Sequence, residues 1–181
     1  IFLPRDGDLP EERRVLTAVS GARWSEVGWD QAGEVDFFAI KGVAELVVER
    51  LGISEPRYEP FRHPAFRLGS CAAIFADDRL VGAVGEVSPG VRAAMDIDET
   101  AWAFLLDLSR SFESASDVKT YQSLPRFPAI VQDLSIVIDN DSSSAEIVVA
   151  IRQAGKALVD QVRMTDQYRG EQVPEGMRGL T

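Results

Sequence analysis

The sequence predicts an α+β protein in two modules: an antiparallel sheet with helices over residues 1–117, then a truncated β-α-β unit over residues 118–181. Three observations carry this. A helical apolar stripe begins at Asp36. Two apolar runs flank an Asp77-Asp78 pair, as in a hairpin. After residue 118 the pattern restarts as strand, capped helix, strand, which fits the first half of a split β-α-β-β-α-β fold.

The chain opens on Ile1 rather than Met, and "IFLP" reads as the tail of a strand, so a longer polypeptide is expected. "LPEERR" is a polar approach to "VLTAVS", a short strand ended by Gly21. Residues 22–35, with two Trp and two Gly and no period, read as loop. Asp36 then N-caps a helix, because its carboxylate can accept from the unpaired N–H groups of the first turn. Phe37, Ile40, Ala44, Val47 and Leu51 recur at helical spacing, with Phe38, Val43 and Leu46 widening the stripe. Lys41 and Glu45 are spaced to pair, and Gly52 suits the position just past the helix. "EPRYEPFRHP" is extended. The hairpin around Asp77-Asp78 follows, then a short helix with Ser88 as cap and Pro89 at its first position. Ala101–Ser109 is a buried strand, and the polar, aperiodic "RSFESASDVKTYQS" reads as a linker.

In the second module, "LPRFPAIVQDLSIVID" alternates cleanly. Ile130, Gln132, Leu134, Ile136 and Ile138 lie on one face of a predicted strand. Ser143 and Glu146 form a capping box. A helix follows, with Ile147, Ala150, Ile151 and Ala154 toward the core and Gly155 at its end. A second strand is expected over 158–169, with Leu158, Val162, Met164 and Tyr168 on one face and Gln161, Arg163, Thr165, Gln167 and Arg169 on the other. The crossover should be right-handed and the two strands parallel. "RGLT" reads as the start of a third strand.

Hydrophobic residues make up 45% and charged residues 27%, ordinary for a globular protein. No apolar run approaches the ~20 residues of a membrane-spanning helix, and the basic and apolar regions of a signal peptide are absent from these residues. The single cysteine, Cys71, excludes an internal disulfide and fits a reducing cytoplasm. The net charge of −10 argues against non-specific nucleic-acid binding by the whole chain. The charge is uneven, however: residues 117–181 carry nine acidic and seven basic groups, −2 against −8 for the rest. The second module can therefore still face RNA.

Several stretches together resemble the C-terminal part of bacterial phenylalanyl-tRNA synthetase beta subunits: "LPEERR…VSG", "VDFFAIKGVAELVVERLG", "HPAFRLGSCAAIF", "VGAVGEVSPGV", "FLLDL", "PRFPAIVQDLSIVID" and "DQYRGEQVPEGMRGLT". They occur in the family's order and cover nearly the whole chain. The resemblance implies that residues 1–117 are the end of a class II synthetase-like domain without catalytic residues, and that residues 118–181 begin a ferredoxin-like anticodon-binding domain. It implies a parent enzyme that joins phenylalanine to its tRNA using ATP and magnesium, as an alpha-two beta-two assembly in the cytoplasm, with the alpha subunit performing catalysis. No cofactor is expected in this part. In the implied fold the third strand lies between the first and second, so a chain ending at Thr181 is expected to lack that central strand. The sequence departs from the family pattern at Gln132, at "HPAFRLGSCA" and at Gly179.

The candidate tRNA-binding residues are Arg126, Arg163, Arg169 and Arg178. Arginines on a sheet face reach phosphates and stack on bases; the alternative is a solvated sheet edge. No catalytic or metal-binding residue is assigned: no His/Cys cluster has ligand spacing, and "VGAVGEVSPG" matches no phosphate loop, its glycines reading as packing relief. A Cys71–His63 nucleophilic pair would need a third orienting group, and a small core residue is the simpler reading of Cys71. The competing function is a free-standing ferredoxin-like RNA-binding or regulatory module, which leaves the upstream motifs unexplained.

Overall fold

A computed structural model describes residues 1–23, 33–116, 118, 121, 127–170 and 172–181. It comprises two compact units, Ile1–Tyr121 and Gln122–Thr181.

In the first unit, β1 (Phe2–Leu3), in the stretch that reads as the tail of a strand, pairs with β2 (Glu11–Glu12), in the stretch that reads only as a polar approach. β3 (Val15–Ser20) is followed by α1 (Phe37–Arg50); most of the predicted loop between them lies outside the described residues. β4 (Arg57–Pro60), β5 (Phe66–Ala76), β6 (Arg79–Val87), α2 (Pro89–Ala94), β7 (Trp102–Asp107) and α3 (Leu108–Ser111) complete the unit. The five main strands form one antiparallel sheet in the order β3-β7-β6-β5-β4. The Asp77-Asp78 turn has both residues at positive φ (45° and 63°), the two-residue geometry that matches strand twist.

α1 begins where Asp36 accepts a hydrogen bond from the Ala39 N–H at 2.8 Å. It ends in a paired set of C-terminal bonds, Gly52 N–H to the Glu49 carbonyl and Ile53 N–H to the Val48 carbonyl, with Gly52 at φ +71°. Its buried line is Ile40, Ala44 and Val48, packed on Ile74, Val84, Phe104 and Leu106 of the sheet. The widened stripe needs correction: Phe38 and Leu46 are 72% and 51% exposed, and Val48 belongs to the core instead. Each lies two residues, about 200° of helix, from a buried position and so faces away from the sheet. Replacing Asp36 with alanine is expected to lower stability by about 1 kcal/mol in urea denaturation, since it leaves a helix N–H unpaired.

α3 spans the last two residues of the predicted strand and the first two of the predicted linker. Its single turn is set by Asp107, which accepts from the Arg110 N–H at 3.1 Å, while Ser111 Oγ donates to the Asp107 carbonyl at 2.8 Å. One turn is too short to show a period. The glycines of β6 do relieve packing: a Cβ on Gly82 or Gly85 would stand 2.3 Å from the Leu105 carbonyl oxygen or 2.4 Å from that of Ser70.

The second unit contains β8 (Ile136–Asp139), α4 (Ser144–Gly155), a 3-10 turn over Lys156–Leu158, β9 (Gln167–Tyr168) and β10 (Met177–Leu180). Ser143 and Glu146 cap α4 reciprocally, at 3.2 Å to the Ala145 N–H and 3.3 Å from the Ser143 N–H. The strand order is β8-β10-β9, with β10 antiparallel to both neighbours. The central strand expected to be missing is thus present, with four residues. β8 and β9 run parallel to each other but do not touch.

Both predicted strands shorten. The strands span only Ile136–Asp139 of the first alternating run and Gln167–Tyr168 of the second, with Thr165 and Asp166 bonded to Thr181 beside the latter, while Ile130, Val131 and Leu158 are 85%, 89% and 95% exposed. The reason is partner supply: β10 offers four residues, and alternation makes no strand without a ladder to join. In α4, Ile147, Val148 and Ile151 are half-buried, but Ala150 and Ala154 are exposed. Gly155 remains helical, and Lys156 takes the positive φ instead, at 48°.

Candidate nucleic-acid interface

Pairing across the second unit's sheet sorts its side chains. Gly179 stands opposite both Val137 and Tyr168, and Met177 opposite Asp139, so these residues share one face. Leu180 stands opposite Ile136 and Gln167, and Arg178 opposite Ile138, on the other. The two faces differ in burial. Leu180 is 5% exposed, whereas Val137, Tyr168 and Met177 are 52%, 45% and 37% exposed. The phenol of Tyr168 lies against Gly170, where a Cβ would come within 2.2 Å of the hydroxyl oxygen. The small floor at Gly170 therefore lets this ring sit on an otherwise open apolar sheet face.

Exposed aromatic rings on a sheet are platforms for unpaired bases, and adjacent cations meet the phosphates. Alternation alone places Tyr168 on one face with Leu158, Val162 and Met164 and does not mark it as exposed. The missed signal is its setting, between Gln167 and Arg169-Gly170, which suits a ring with one wet side.

The four candidate arginines do not share one environment. Arg126 lies outside the described residues. Arg163 is exposed in a segment that forms no strand, and Arg169 is exposed directly after β9. Arg178 is half-buried: Nη2 donates to the Ser142 carbonyl at 2.6 Å and Nη1 to Gln167 Oε1 at 3.2 Å.

Among the described residues, the first unit's sheet shows no comparable face with an exposed aromatic ring. Opposite α1, two rows cross its sheet: Thr17, Leu105, Ala83, Ala73 and Glu59, then Val19, Ala103, Gly85 and Cys71. A nucleotide triphosphate and its magnesium need clustered cations and carboxylates; these rows offer one carboxylate, at the edge, and do not fit such a group. Among the described residues, no three His, Cys, Asp or Glu side chains gather as metal ligands, and no helix is long and apolar enough to cross a membrane.

On the α1 side, a cavity of about 470 Å³ is lined by Phe37, Lys41, Tyr58, Cys71 and Ala72 among others. Lys41 Nζ sits 4.2 Å from the Tyr58 ring centre and pairs with Glu45. Burial, then the Glu45 charge, pushes the Tyr58 hydroxyl pKa up. Burial also pushes the Cys71 thiol up to about 11, opposite to what a nucleophile needs. His63 is engaged elsewhere, accepting from the Ala65 N–H at 3.2 Å and stacking on Phe61. Cys71 should resist iodoacetamide in the folded chain at pH 8 and react on unfolding. Because its folded pKa is raised, its contribution to stability is present below pH about 9 and falls as pH rises toward 11. Comparing urea midpoints of the chain and its Cys71→Ala variant from pH 8 to 11 checks this: the alanine variant should lose less stability.

Residues 1–108, more than half the chain, match the family model described as the phenylalanyl-tRNA synthetase beta chain CLM domain. The chain belongs to this family. Residues 125–181 match the ferredoxin-fold anticodon-binding domain. The phenylalanine–tRNA ligase beta subunit of Symbiobacterium thermophilum is 32% identical over 182 residues, covering 99% of this chain and 20% of that protein. Those of Moorella thermoacetica and Clostridium tetani are 36% and 32% identical, each covering 99% of this chain and 22% of the relative. The chain thus spans about a fifth of the length of these beta subunits. As a phenylalanyl-tRNA synthetase beta chain segment it carries the CLM-domain region and a ferredoxin-fold anticodon-binding domain, and the open face around Tyr168 lies within the latter.

Proposed function

We propose that this chain serves a phenylalanine–tRNA ligase as a non-catalytic beta-chain segment. Its second module docks phenylalanine tRNA, and its first packs against an alpha subunit that uses ATP and magnesium to charge that tRNA in the cytoplasm. The boundary between the modules falls near residue 118. Exposed Tyr168 supplies a stacking surface, and Arg163 and Arg169, with Arg126 at the module's start, supply phosphate contacts. The observation that carries the reading is the exposed Val137–Tyr168–Met177 face in the unit that matches an anticodon-binding domain.

Filter binding of the 181-residue chain to phenylalanine tRNA tests it, alongside phenylalanine-dependent ATP–pyrophosphate exchange. The expected result is salt-sensitive binding, weakening by a log–log slope of about 0.7–0.9 per phosphate contacted, with no exchange. Absence of tRNA binding, or robust exchange by the chain alone, would overturn the reading.

A further inference from the structure

We infer that Arg178 acts as a positioning residue rather than an RNA contact: its guanidinium clamps β9 to the head of α4 and thereby holds Tyr168 on the open face. This inference rests on the tRNA-docking function proposed for the second module.

β9 joins the sheet through two residue pairs, Gly179–Tyr168 and Leu180–Gln167, and Asp166 and Thr181 exchange backbone bonds just beyond them. Those extra bonds lie on the side of Gln167 away from Tyr168. Arg178 adds a side-chain anchor at Gln167 itself, from the face opposite Tyr168. Nη1 donates to Gln167 Oε1 at 3.2 Å, which grips β9 at the residue before Tyr168. Nη2 donates to the Ser142 carbonyl at 2.6 Å, in the turn that leads into α4. Nε is buried and finds no acceptor among the described residues. Each Nη thus gives one of its two N–H groups to a protein oxygen, and Nε is shut from solvent. Turning the fork to face a phosphate would break the charge-assisted bond to the Ser142 carbonyl, because the planar group moves as one. The planar fork is what spans the two acceptors; a lysine carries the charge without the fork.

The test uses the 181-residue chain with phenylalanine tRNA, read as dissociation constants across a salt series. Arg178→Lys and Arg178→Met should each weaken binding roughly tenfold, the scale of one lost charged hydrogen bond, with the salt slope unchanged. Gln167→Leu should weaken binding in the same direction and add little to Arg178→Met, because both break one clamp. Arg169→Ala, by contrast, should lower the salt slope by about 0.7–0.9. A slope reduced by Arg178→Met, or full binding retained by Arg178→Lys, overturns the inference and makes Arg178 a charge contact.

Amide hydrogen exchange on the RNA-free chain separates this outcome from failure of the docking reading. Arg178→Met, Arg178→Lys and Gln167→Leu should each speed exchange at Tyr168, Gly179 and Thr181, the amides that bond across β9 and β10, while β5–β7 stay unchanged. Exchange unaltered at those three amides refutes the clamp even if tRNA binds. Faster exchange in a chain that binds no tRNA supports the clamp and refutes the docking reading alone.

Discussion

Replacing Phe104 with alanine is expected to destabilise the first unit by about 3–5 kcal/mol, the range for removing a fully buried aromatic ring. Phe104 is 2% exposed on β7, in the cluster formed by the α1 line Ile40, Ala44 and Val48 with Ile74, Val84 and Leu106. Its neighbours are held by a five-strand ladder and a helix fixed at both ends, so they cannot collapse into the space left. The loss therefore includes a cavity as well as lost transfer energy. Urea denaturation followed by circular dichroism reads it directly. A loss below about 1 kcal/mol would mean that α1 and the sheet do not close on this ring.

The second large effect concerns RNA. Tyr168→Ala is expected to weaken binding of the chain to phenylalanine tRNA by about 1–3 kcal/mol, roughly 5- to 150-fold, with little change in salt dependence. The ring is 45% exposed and has Gly170 against its phenol end, so its removal opens no core cavity and should leave the fold intact. Tyr168→Phe, which keeps the stacking surface, should bind nearly as the unmodified chain does. Gly170→Val should act like the alanine variant by displacing the ring. Equal binding by the chain and Tyr168→Ala would remove Tyr168 from the interface.

How much of this was legible in the sequence depended on whether the signal was local. The caps at Asp36, Ser88 and Ser143 were legible because a cap is a side chain meeting a backbone group two or three residues away. So was the Asp77-Asp78 turn, whose geometry two residues decide. The helix stripe was legible in period but not in phase: Phe38 and Leu46 are as apolar as Val48, and only the sheet beneath α1 decides which of them is buried. Strand lengths in the second unit were not legible, because Ile130–Ser135 alternates as well as Ile136–Asp139 and differs only in having no partner in β10. The site followed the same rule. Its basic residues were found by type, yet Arg178 and Arg169 are equivalent in sequence and differ through Ser142 and Gln167, one of them 36 residues away. Alternation places Tyr168 on one face with Leu158, Val162 and Met164, without saying whether that face is buried or open.

The most direct test of the central claim is a heteronuclear NMR titration of the 181-residue chain with the anticodon stem-loop of phenylalanine tRNA. The account predicts saturable shifts at Val137, Tyr168, Met177 and Gly179, extending to Arg169, with the strands of the first unit unmoved. Shifts confined to the first unit, or none on that face at saturating RNA, would contradict it.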